Sequence, residues 1–147
     1  MKPINEMRLR IESRSVNEAF ARAAVAAFVS QLDPTLEEIS DIKTAVSEAV
    51  TNCIVHAYAD SVGQIYIWTG LYEDGGVRIK IRDTGCGIED VKKAMEPLYT
   101  TLGEERAGLG FAVMESFCDR LGVRSAPGKG TTVTLTKYIK GRNGGDD

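Results

Sequence analysis

Apolar and polar residues alternate along Met7-Arg-Leu-Arg-Ile-Glu-Ser13, placing Met7, Leu9 and Ile11 on one side, the two-residue period of a strand with one wet face. It reads as an edge or near-edge strand. The period then changes to 3.6 residues. A helix is predicted over residues 16–32, opened by Ser15 with Glu18 three residues on, a pair whose side chains can each satisfy the other's free backbone N–H. Asp33-Pro34 ends it. Thr35-Leu-Glu-Glu38 repeats the signature for a longer helix reaching about residue 58. There Ile39, Ile42, Val46, Ala49, Val50, Cys53 and Ala57 form one apolar stripe, and Glu48 and Asn52 lie off it.

Two strand-like runs follow over residues 64–72 and 77–82, joined by Glu73-Asp-Gly-Gly76, whose glycines suit a hairpin turn. After the loop Asp83-Thr-Gly-Cys-Gly87 a short helix is expected around residues 90–95, stopped near Pro97. Residues 99–107 are polar and aperiodic. Phe111, Val113, Met114, Phe117 and Leu121 then carry helical spacing over 111–121, directly behind Gly108-Leu109-Gly110. A second hairpin closes the pattern, from residues 122–126 through Pro127-Gly-Lys-Gly130 into the β-branched run 131–136. This order predicts an α+β fold, a two-layer α/β sandwich with a mixed, mainly antiparallel sheet and helices on one face. One domain over residues 1–140 and a flexible tail over 141–147 are expected.

The composition fits that picture. The 147 residues are 43% hydrophobic and can bury roughly two-thirds of their unfolded surface. Eighteen Lys and Arg against 21 Asp and Glu leave a net charge of -3, so no overall basic field draws nucleic acid or anionic lipid. The longest apolar run, Ala23 to Val29, falls far short of the roughly 18 residues of a membrane span, and residues 1–7 lack the apolar core of a signal peptide. A cytoplasmic protein with neither membrane nor nucleic-acid partner is therefore expected. Cys53, Cys86 and Cys118 are too widely spaced for a Cys-x-x-Cys pair, and the single His56 excludes a multi-histidine zinc site.

Two familiar nucleotide motifs are absent. Gly122-Val-Arg-Ser-Ala-Pro-Gly128-Lys129-Gly130 has one residue too many for a Walker loop, and no Gly-x-Gly-x-x-Gly follows a strand. The chemistry-bearing residues are dispersed instead. Glu48 and Asn52 stack one helical turn apart, with His56 a turn further on. A carboxylate there can accept a proton while a carboxamide oxygen ligates magnesium, although the same pair suits an ordinary solvated face. Asp83 ends a strand, and Gly85 and Gly87 behind it let a ligand ring approach the backbone; an Asx turn would look the same. Gly108 and Gly110 at a helix start offer N–H groups to phosphate oxygens or serve only as a flexible entry. Gly130-Thr131 equally suits a hairpin exit.

In combination these segments are more specific. Glu48-Ala-Val-Thr-Asn52, Asp83-Thr-Gly85-Cys-Gly87, Gly108-Leu109-Gly110 and Gly130-Thr131, in this order, resemble the Bergerat-type ATP-binding domain shared by gyrase, Hsp90, histidine kinases and MutL. Within that superfamily the chain is most similar to the small serine kinases that act as sporulation anti-sigma factors. Phe20-Ala-Arg22, Gln31-Leu-Asp-Pro34 and Pro97-Leu-Tyr-Thr-Thr101 extend the likeness from about residue 5 to 139. The resemblance implies binding of ATP or ADP with Mg2+, sequestration of a sigma factor of the sigma F type, and phosphorylation of an anti-anti-sigma protein on serine.

It also implies roles. Asp83 would accept from the adenine amino group, with Thr131 completing the base pocket, and Asn52 would hold magnesium. Glu48 would be the general base. Gly85, Gly87, Thr101, Gly108, Leu109 and Gly110 would contact nucleotide, while Arg106, in a mobile lid over residues 99–107, would meet the γ-phosphate. Arg22 would contact the partner, His56 would serve only the helix end, and Cys53 would replace a small apolar residue. A homodimer is expected from the same source. A general-stress (sigma B) type anti-sigma kinase and a non-catalytic nucleotide-dependent sigma-binding switch are the alternatives.

Overall fold

The computed structural model describes residues 1–95 and 110–141. In chain order it holds β1 (Asn5–Glu12), α1 (Val16–Val29), α2 (Leu36–Asn52), β2 (Gln64–Leu71), β3 (Gly76–Asp83), α3 (Val91–Ala94), α4 (Phe111–Ser116), β4 (Arg120–Ala126) and β5 (Gly130–Tyr138). That is the expected order. The predicted lid with Thr101 and Arg106, together with Gly108, Leu109 and residues 142–147 of the predicted tail, lies outside the described residues.

The strands form one sheet in the order β1-β2-β3-β5-β4, so β1 is an edge strand as its alternation suggests. The two-layer α+β sandwich is as expected, but among the described residues all four strand pairings are antiparallel, where a mixed, mainly antiparallel sheet was expected. The reason lies partly in α1 and α2: two antiparallel helices return the chain to the end of the sheet it left, so β2 runs back along β1.

One sheet face presents Ile65, Ile67 and Leu71 of β2, Val77, Ile79 and Ile81 of β3, and Val133 and Leu135 of β5. These are buried with Val25 and Val29 of α1 and Ile42, Val46, Ala49 and Val50 of α2. Each of these Val, Ile and Leu side chains contributes about 1.5–3 kcal/mol by leaving water. The opposite face is protected differently. Tyr66 and Trp68 lie directly across from Arg82 and Lys80, whose cations sit 4.2 and 5.5 Å from the ring centroids, so charged stems cover the aromatic surface.

Some helix ends depart from the sequence pattern. Ser15 makes no side-chain cap, because its own backbone is already helical at φ -58° and ψ -31°, and Glu18 turns to Ser47 of α2 and to Arg22. The last turn predicted for α1 tightens into a 3₁₀ segment, Ser30–Leu32. Helix α4 stops at Ser116 rather than 121, since Arg120 and Leu121 already pair with Thr136 and Leu135 in the sheet; that pairing outweighs the helical spacing of Leu121.

The second capping signature forms in full. Glu38 N–H donates to Thr35 Oγ1 at 3.0 Å and Thr35 N–H to Glu38 Oε1 at 2.9 Å. The Glu38 carboxylate also accepts from Lys140 N–H at 2.8 Å and Gly141 N–H at 3.2 Å, tying the exit of β5 to the start of α2. Burial alone would raise its pKa, but the donors from Thr35, Lys140 and Gly141 outweigh that and hold it below the ordinary glutamate value. A depressed folded pKa gives stability that is complete above the unfolded value and is lost as pH falls through the folded one. Glu38→Gln is therefore expected to cost about 1 kcal/mol at pH 7 and to flatten the acid limb of stability. Urea unfolding at pH 7 and at acid pH checks both.

Candidate nucleotide site

Helix α2 does not end as a regular helix. From Cys53 to Ala57 it widens into a π turn, in which Tyr58 N–H donates to the carbonyl of Cys53 at 3.0 Å. The carbonyl of Ala57, at the end of this turn, accepts from Cys86 N–H at 3.2 Å. Tyr58 pins the same loop from its other end, accepting from Thr84 N–H at 2.7 Å while its hydroxyl donates to the Gln64 carbonyl at 2.8 Å. The loop thus lies so close to the π turn that a Cβ at Gly85 would overlap the Ala57 carbonyl, which explains the glycine.

Asp83 is the last residue of β3 on the helix-facing side, where the row Val77, Ile79, Ile81 ends in a carboxylate. It is only 5% exposed. Its Oδ1 accepts from Gly85 N–H at 3.0 Å and from Thr131 N–H at 3.2 Å, so loop and β5 hold it together. Asp83, Asn52, Gly87 and Thr131 line one cleft with Cys53, His56 and Cys86, walled by Ala49, Ile81, Ile88, Phe111 and Val133. Apolar walls with convergent polar groups at one end suit a flat heteroaromatic ring with an N–H edge.

Glu48 stands one turn back from Asn52 and packs against Gly110, the residue before α4. Gly110 has φ +71°, and a Cβ there would collide with the Glu48 carboxylate, so this position needs glycine for conformation and for space. Burial against this neighbour pushes the Glu48 pKa up, toward the range useful to a general base. Burial likewise pushes His56 down and, with the adjacent Asp83 carboxylate, pushes the Cys53 thiol up.

The residues fit a nucleotide with its cation. Asn52 offers a carboxamide oxygen, and no group of three acids, histidines or cysteines among the described residues makes a self-sufficient metal cage. A cation there would arrive with its phosphates. Arg22 lies on α1 away from the cleft lining, its guanidinium 3.6 Å from Glu18.

Asn52, Asp83, Gly87 and Thr131 are thus brought together, with Gly85 behind them and Glu48 beside Gly110. His56, expected to serve the helix end, also lines the cleft, one turn beyond Asn52. Cys53, expected as a passive small residue, faces the Asp83 carboxylate. The pattern also missed Ser125, which sits across β5 from β3 in register with Thr131; counting the 127–130 hairpin would have paired them.

A profile of the histidine kinase-like ATPase domain matches residues 11–137. An anti-sigma F factor of Caldanaerobacter subterraneus subsp. tengcongensis is 61% identical over 140 residues, 95% of this chain and 96% of the relative. The anti-sigma F factor of Thermoanaerobacter pseudethanolicus is 58% identical, over 95% and 97%. Among solved structures, the RsbU and RsbW domains of a Mycobacterium tuberculosis protein superpose with a TM-score of 0.69 at 24% identity, covering 93% of this chain and 33% of that one. A histidine kinase domain from Erythrobacter litoralis gives 0.55 at 20%, over 84% and 61%. These two likenesses speak for the fold. By sequence match, fold and cleft, the chain belongs to the histidine kinase-like ATPase family and, within it, to the anti-sigma F factors.

Proposed function

We propose that this protein is a cytoplasmic, ATP- and Mg2+-dependent serine kinase that sequesters a sigma factor of the sigma F type and phosphorylates its anti-anti-sigma antagonist. The observation that carries the reading is the juxtaposition of a partly desolvated carboxylate, Glu48, with Asn52 and the Asp83 cleft on one helix end. Bound ATP supplies the transferable phosphoryl group. Asp83 and Thr131 would orient its base, and Asn52 would hold the cation that accompanies its phosphates. Glu48 takes the proton from the incoming serine hydroxyl, and Arg106, Gly108, Leu109, Gly110 and Thr101 would meet the phosphates. Phosphoryl transfer needs chiefly positioning and charge stabilisation, which a shallow site between α2 and the sheet can give.

Arg22, half-buried on α1, is proposed to contact the partner protein, and the edge strand β1 offers backbone groups for a homodimer. Relatives named anti-sigma F factor at 50–61% identity favour the sporulation type over the general-stress type. The test is incubation of the purified chain with labelled ATP, Mg2+ and the cognate anti-anti-sigma protein. Phosphoserine on the partner with matching ADP release is expected. Nucleotide-dependent sigma capture without any transfer would replace this reading by that of a non-catalytic switch.

A further inference from the structure

Ser125, on edge strand β4, is half-buried and carries no role in the readings above, yet it ties the loop after β3 to the start of β5. Ile88 N–H donates to its Oγ at 2.8 Å. The Gly130 carbonyl lies 2.9 Å from the same oxygen and Thr131 Oγ1 lies 2.7 Å from it. Counting valences fixes who donates. A serine hydroxyl has one proton and two lone pairs, and a carbonyl can only accept. The Ser125 proton therefore goes to Gly130, one lone pair is taken by Ile88, and the remaining lone pair takes the proton of Thr131.

Thr131 then has no proton left for the cleft it lines and presents lone pairs alone. Its neighbour Asp83, held to it through Thr131 N–H, is also an acceptor. We infer that Ser125 is a positioning residue that sets the hydrogen-bond polarity of Thr131 and thereby selects a 6-amino purine over a 6-oxo purine. The inference rests on the base-pocket reading of Asp83 and goes beyond it, because Ser125 itself need not touch the ligand. An exocyclic amino group brings hydrogens to two acceptors. A 6-oxo group brings an oxygen to lone pairs.

The experiment is calorimetric titration of ADP and IDP into the full chain and its variants. The wild type is expected to prefer ADP. Ser125→Ala frees the Thr131 hydroxyl to turn and donate inward, so the ADP-to-IDP preference should narrow by about three- to tenfold, the worth of one neutral hydrogen bond. Ser125→Thr keeps the hydroxyl and should keep the preference. In a Thr131→Val background, Ser125→Ala should not change the preference further, because no hydroxyl remains to be oriented. Should Ser125→Ala fail to fold, Ser125→Cys keeps the side-chain volume with a poor acceptor and is expected to narrow the preference in the same direction. Equal weakening of ADP and IDP in these variants would make Ser125 a purely structural residue and overturn the inference while leaving Asp83 in place. A wild type that binds ADP and IDP equally would remove the base pocket, and Ser125 with it.

Discussion

Glu48→Gln is expected to slow phosphoryl transfer by roughly 10²–10⁴-fold, the usual worth of a positioned general base, with little change in ATP affinity. The substitution keeps the volume that packs on Gly110, so the α2–α4 contact survives and the loss reports chemistry. The pH dependence gives a second handle. Burial raises the Glu48 pKa, and a general base must be deprotonated, so activity should fall on the acid side at a higher pH than an ordinary glutamate would allow. That limb should vanish from the residual activity of Glu48→Gln. Single-turnover transfer with saturating ATP, followed across pH, measures both. Unchanged transfer would take Glu48 out of the mechanism, and lost ATP binding would place it in recognition instead.

Much of this site was legible because each segment obeys a local rule. Alternation marked the strands, Thr35 and Glu38 marked the start of α2, and the four-residue spacing put Glu48 and Asn52 on one face. What escaped was set by long-range pairing. Ser15 and Glu18 look like a capping box, but Glu18 is recruited across the helix pair by Ser47. Leu121 continues a helical stripe, yet β5 claims it for the sheet. The π turn has no local signature in Cys53-Ile-Val-His-Ala57, and the bond from Cys86 N–H to the Ala57 carbonyl joins it to the loop after β3. Ser125 was invisible for the same kind of reason: its role depends on a register across two strands, and side chains that act through others leave no spacing of their own.

Asp83→Asn should weaken ADP and ATP by about 5- to 150-fold, corresponding to about 1–3 kcal/mol. The argument follows from the partners of the carboxylate. Oδ1 accepts from Gly85 N–H and Thr131 N–H, and an amide oxygen can take over both bonds, so the loop and β5 should keep their places. In that orientation the NH₂ occupies the second oxygen's position and meets the purine amino group donor to donor. Flipping the amide to restore an acceptor would instead turn the NH₂ toward two backbone N–H groups, in a place only 5% exposed, where water cannot relieve them. The first orientation costs the bond to the base, and the second leaves both Gly85 N–H and Thr131 N–H without an acceptor, so the first prevails. The fold therefore survives while the base loses its anchor, and the two effects separate in a paired measurement: an unchanged unfolding midpoint without nucleotide, and a smaller upward shift of that midpoint on adding ADP than in the wild type. An equal shift in both proteins would mean that the purine amino group is recognised elsewhere.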